Sequence, residues 1–64
     1  MKIIVNGEPQ DVAAKTLSDL LAECGYSGRV ATAVNEVFVA SSARIGHALA
    51  DGDRVEILAP MQGG

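Results

Sequence analysis

With 64 residues, 48% of them hydrophobic but only Tyr26 and Phe38 aromatic, the chain can build one small aliphatic core; an interior ligand cavity of ~300 Å³ or more is hard to fit into it, which argues against a self-sufficient enzyme. The net charge of −3 arises from eight acidic residues set against five scattered basic ones, Lys2, Lys15, Arg29, Arg44 and Arg54; the basic footprint of a nucleic-acid binder is missing, and so is the cationic patch that anionic membranes attract. A lone cysteine cannot close an internal disulfide, and no apolar run approaches the ~20 residues of a transmembrane helix, so the expected setting is the cytoplasm.

The opening stretch MKIIVNGE is interrupted by polar residues too early for a secretory signal. Lys2 to Val5 is short and β-branched, which suits a strand. Asn6-Gly7 is the preferred pair of a type I′ hairpin turn, so a second strand is expected to return over about Pro9 to Ala13, with Pro9 at its start or edge. Thr16 is a natural helix N-cap with Asp19 at N3. Leu17, Leu20, Leu21 and Cys24 recur at i, i+3, i+4 and i+7, and Gly25 is placed to end the helix, so a helix is expected over 17–24 with one apolar stripe. Cys24 lies on that stripe and reads as a small hydrophobe.

After a connection over residues 26–29, Val30 to Asn35 reads as a third strand with Val30, Thr32 and Val34 on one face. Ala31 and Ala33 occupy the other, and their small size suits a face that a helix approaches closely. Asn35-Glu36 is expected to turn, and Val37 to Ala40 to form a short fourth strand. Ser41 to Leu49 shows no clear period; a loop or a single helical turn is expected, with Ile45 and Leu49 as plugs. Asp51-Gly52-Asp53 is a tight turn, too short for a calcium loop. Arg54 to Leu58 alternates as a half-buried strand, with Val55 and Ile57 facing one way, and Pro60 stops it. His47 has no nucleophile at motif spacing and reads as a packing or surface residue. The order β-β-α-β-β-β predicts an α+β fold over residues 1–64, a single domain of mixed β-sheet with one main helix on one face.

The sequence closes on Met61-Gln62-Gly63-Gly64. Two glycines contribute nothing to a core and cost entropy to order, but they form a thin chain end that can thread a cleft and present a carboxylate. Residues 59–64 are therefore expected to be a flexible tail. Taken alone, a terminal Gly-Gly is a weak motif.

Taken in order, Met1-Lys2-Ile3-Ile4-Val5-Asn6-Gly7-Glu8, Thr16-Leu17-Ser18-Asp19-Leu20-Leu21, Ala33-Val34-Asn35, Leu49-Ala50-Asp51-Gly52-Asp53-Arg54-Val55-Glu56-Ile57 and Gln62-Gly63-Gly64 resemble the ubiquitin-like β-grasp sulfur carriers, most closely the thiamine-biosynthesis sulfur carrier (ThiS) family. The family usually has Asn-Gly-Glu in the middle turn and often Pro-Arg after the fourth strand; here Asn35 is followed directly by Glu36, and Ala40-Ser41 stands in place of Pro-Arg. The resemblance implies a protein co-substrate rather than an enzyme. It binds no cofactor itself. An adenylating enzyme of the ThiF type would use ATP to convert the Gly64 carboxylate to an acyl-adenylate. A sulfur donor such as a cysteine desulfurase would supply the sulfur of a thiocarboxylate, and thiazole synthase of the ThiG type would receive it. Gly63, Gln62 and Met61 would lie in the partner's cleft, and Leu58 and Ile4, with Met61, would form an apolar docking patch. The alternatives are a carrier for another pathway, such as the small subunit of molybdopterin synthase, and a β-grasp interaction module whose Gly-Gly is incidental.

Overall fold

The structure, a computed structural model, describes residues 1–27 and 29–59. Five strands, β1 (Lys2–Val5), β2 (Glu8–Asp11), β3 (Ala31–Val34), β4 (Val37–Val39) and β5 (Arg54–Leu58), accompany one α-helix, α1 (Leu17–Glu23), and a 3₁₀ helix over Ser41–Gly46. The strands form one mixed sheet in the order β2-β1-β5-β3-β4. β5, the last in sequence, lies at the centre, parallel to β1 and antiparallel to β3.

Both hairpins turn on the residues that the sequence singles out. Asn6 and Gly7 take φ of 50° and 84°, and Asn35 and Glu36 take 51° and 71°, the paired positive values that a type I′ turn requires. Because the first loop has only two residues, the return strand begins at Glu8, opposite Val5, rather than at Pro9. It also ends earlier than expected, at Asp11: the N–H groups of Ala13 and Ala14 leave the ladder and donate to the Glu23 carboxylate at 2.9–3.2 Å.

The helix starts where Thr16 caps it, its Oγ1 accepting from the Asp19 N–H at 3.1 Å. It ends at Glu23, with Cys24 as C-cap and Gly25 beyond it at φ 81°. Leu17, Leu20 and Leu21 are buried against Ile3, Val5, Val34, Val39, Val55 and Ile57, each burial worth ~1.5–3 kcal/mol. Cys24 packs at the margin of this cluster.

Three further sequence expectations are corrected. The helix-facing side of β3 carries Thr32 and Val34, whereas Ala31 is exposed and Ala33 half-buried. A buried threonine is tolerated there because its hydroxyl donates to the Val39 carbonyl at 2.8 Å and accepts from Arg44 Nε at 2.9 Å. Ile45 is no plug: it stands 78% exposed on the 3₁₀ helix, while Leu49 is buried. Val30 falls just before β3; its carbonyl accepts from Arg44 Nη2 at 2.6 Å, so an arginine from the 3₁₀ helix ties down the approach to the strand. Pro60, expected to stop β5, and most of the expected tail lie outside the described residues, as does Gly28 in the connection.

Candidate functional site

The expected reactive end, Gly64, and the expected cleft-threading residues Gly63, Gln62 and Met61 lie outside the described residues. What the fold does describe is the base from which they continue. β5 is held on both sides. Along β3 it pairs through Ala31↔Leu58, Thr32↔Ile57, Ala33↔Glu56 and Val34↔Val55. Along β1 the register Ile4↔Arg54 and Val5↔Val55 runs out where the first hairpin turns.

Two asparagines, one from each hairpin turn, then bracket β5. Asn35 takes its first residue: the Asn35 N–H donates to the Arg54 carbonyl at 2.7 Å, and Asn35 Oδ1 accepts from the Arg54 N–H at 3.0 Å. Asn6 takes its far end: Oδ1 accepts from the Ile57 N–H at 2.8 Å, and Nδ2 donates to the Ile57 carbonyl at 3.2 Å. Local sequence reasoning identifies both residues as turn formers and misses these bonds, because Asn6 and Ile57 are 51 positions apart.

The outer face of the sheet, away from α1, is the other component. Val55 and Ile57 point into the core, so Arg54, Glu56 and Leu58 point out. Ile4 is half-buried on the same side, between buried Ile3 and Val5. Ile4 and Leu58 therefore share a face without touching as neighbours: Ile4 is level with Arg54, and Leu58 lies four residues further along β5, about 13 Å at ~3.3 Å per residue, with Glu56 between. The apolar company of Leu58 comes from the other side. Ala31 is directly opposite it, Ala33 is two residues on, and Phe38 of β4 is paired with Ala33. Leu58 and Phe38 are 66% and 69% exposed, and the two alanines between them leave a shallow apolar bed. Val37-Phe38-Val39 is apolar throughout and offers no alternation from which to read the face of Phe38.

The other chemically suggestive residues are accounted for within the fold. Asp51 Oδ1 accepts from the Lys2 N–H at 2.7 Å, and Asp53 accepts from the Ala50 N–H and from Asn35 Nδ2. His47 is half-buried after the 3₁₀ helix, and its carbonyl accepts from the Leu17 N–H, joining that segment to the start of α1. Burial pushes the Cys24 thiol above its ordinary pKa, and the neighbouring Glu23 charge adds to the effect, which disfavours the reactive thiolate. Among the described residues no three His, Cys, Asp or Glu side chains gather as a metal site, and no helix is long and apolar enough to cross a membrane.

A mixed five-stranded sheet with a central last strand and one helix laid across one face defines a ubiquitin-like β-grasp protein. The family model described as "ThiS family" matches residues 3–64. The sulfur carrier protein ThiS of Thermus thermophilus is 41% identical over 61 residues, covering 94% of this chain and 95% of that protein. The crystal structure of the thiamine biosynthesis protein ThiS from Geobacter metallireducens superposes with a TM-score of 0.82 at 30% identity, over the full length of both chains. A solution structure of a thiamine biosynthesis protein from the same organism gives 0.82 at 29%, over 100% of this chain and 88% of that one. The chain belongs to the ThiS family.

Proposed function

We propose that the chain is the sulfur carrier of thiamine biosynthesis, loaded on the carboxylate of Gly64 and acting as a protein co-substrate. The observation that carries this is the family match, which runs through Gly63-Gly64 itself. A carboxylate is a poor electrophile. In the adenylation step its oxygen attacks the α-phosphate of ATP, pyrophosphate leaves, and the Gly64 carbonyl acquires AMP as a leaving group. The terminal sulfur of a donor persulfide then attacks that carbonyl and expels AMP, and a thiol reductant cleaves the resulting acyl disulfide, leaving a thiocarboxylate on Gly64 that a thiazole synthase consumes. Glycine suits both steps because no side chain shields the carbonyl, and Gly63 widens the backbone conformations available inside a cleft.

The partners follow from this chemistry: an adenylating enzyme of the ThiF type with its ATP, a sulfur donor such as a cysteine desulfurase, and a synthase of the ThiG type. Ordering a glycine tail costs entropy, so the folded body must supply binding energy. Leu58, with Ala31, Ala33 and Phe38 beside it and Met61 beyond, is the docking surface, with Ile4 at its far margin. The deciding experiment is an intact-mass measurement on protein purified from its own host. Replacement of one oxygen by sulfur, placed on Gly64 by C-terminal fragmentation, is the expected result. A plain carboxylate that also resists ATP-dependent adenylation by the partner would overturn the proposal and leave an interaction module. Sulfur on Gly64 that a thiazole synthase does not accept would move the carrier to another pathway.

A further inference from the structure

The bonds that Asn6 makes to β5 follow the pattern of a ladder that continues after its strand has gone. In the parallel pairing of β1 with β5, the Ile4 N–H donates to Asp53 and the Asn6 N–H to Val55, both at 2.9 Å. The next rung calls for the Ile57 N–H to meet a carbonyl at position 6, and the one after for an N–H to reach the Ile57 carbonyl. At φ 50° the backbone of Asn6 is already turning away. Its side-chain carboxamide supplies both missing partners, Oδ1 for the Ile57 N–H and Nδ2 for the Ile57 carbonyl. β5 thus stays tied on its β1 side two residues past the last true pair. Ile57 is flanked by Asn6 on one side and Thr32 on the other, and only Leu58 and Ala59 separate it from Pro60.

We propose that Asn6 is a positioning residue for the acyl-transfer tail: its carboxamide fixes the point from which the chain leaves the sheet and so sets where Gly64 falls when the body is docked. The inference rests on the reading of Gly64 as the adenylated residue. Without the carboxamide the end of β5 is held from β3 alone. The point at which the chain leaves the sheet is then less sharply defined, and small misplacements of a reacting group are expensive. Asn35 offers an internal control, since it occupies the same position of the same turn type and bonds the same strand at its opposite end.

The test compares Asn6→Gly with Asn35→Gly. Glycine keeps the positive φ in each turn and removes the carboxamide, so both variants are expected to fold, which urea unfolding checks. ATP-dependent adenylation by the ThiF-type enzyme is followed by pyrophosphate exchange, and amide hydrogen exchange is read at Ile57 and Val55. For Asn6→Gly, kcat should fall about tenfold or more with KM nearly unchanged, and Ile57 exchange should rise while Val55 stays protected. For Asn35→Gly, kcat should match the unsubstituted protein. Equal losses in both variants, in step with the folded fraction, would reduce Asn6 to a structural residue and overturn the proposal. So would an unchanged kcat or unchanged Ile57 exchange in Asn6→Gly. Failure of the unsubstituted protein to be adenylated would refute the carrier function instead, with the Ile57 exchange still deciding whether Asn6 anchors the strand.

Discussion

Leu58 provides the sharpest test of the proposed docking surface because its exposure separates binding from folding. Its side chain is 66% exposed on the outer face of β5. Full burial of a leucine is worth ~1.5–3 kcal/mol, so a partner that covers the exposed two thirds gains about 1–2 kcal/mol from this residue. By the tenfold-per-1.4 kcal/mol relation, Leu58→Ala should weaken docking by about 5- to 30-fold. Leu58→Glu should weaken it further, because it buries a carboxylate beside Glu56, the other outward acid on the same strand. Neither substitution opens a cavity, and folding stability should move by about 0.5 kcal/mol or less. The assay is kcat/KM for adenylation by the activating enzyme, paired with urea unfolding of each variant. Wild-type kcat/KM in both Leu58→Ala and Leu58→Glu would refute the docking surface. A loss of activity matched by a loss of stability would assign Leu58 to the fold instead.

Three further outcomes follow from the body of the domain. Thr16→Ala removes the N-cap acceptor of a seven-residue helix and should cost about 1 kcal/mol, seen in thermal unfolding as a Tm lower by roughly 4–8 °C. Cys24, with its pKa raised first by burial and then by Glu23, should react with iodoacetamide at neutral pH more slowly than an unfolded peptide thiol. Cys24→Ala should leave formation of the Gly64 thiocarboxylate unchanged, and loss of sulfur loading in that variant would show that the thiol takes part.

Local chemistry made much of this fold legible. Asn6-Gly7 announces the first hairpin, Thr16 with the leucine stripe announces the helix, and the alternation of Arg54 to Leu58 announces a half-buried strand. Each of these signals is short in range. The faces of β3 were not legible, because small Ala31 and Ala33 suit a close helix contact as well as an exposed surface. The choice fell to Thr32, whose hydroxyl is satisfied by Val39 and Arg44, residues 7 and 12 positions away. Ile45 reads as core on hydrophobicity alone but lies on the outer side of a short 3₁₀ helix. The placement of β5 between β1 and β3 leaves no local trace, and neither does the use of the Asn6 side chain in place of backbone. In the candidate site, Leu58 and Ile4 could be placed on one face by alternation. Phe38 could join them only once the register of β3 with β4 was known.

The central position of β5 also governs how this domain is made. The β1–β2 hairpin, α1 and the β3–β4 hairpin each rest on contacts between neighbouring residues. Among the strands of the sheet, the two hairpins are joined only through β5. The contacts that unite them, such as Asn6 with Ile57 across 51 positions, come late and cost loop-closure entropy. Without Arg54 to Leu58 the sheet order leaves a gap between the two hairpins. A chain that lacks this strand cannot close its sheet. The outer face that carries Leu58, Ala31, Ala33 and Phe38 is therefore assembled only once β5 is in place.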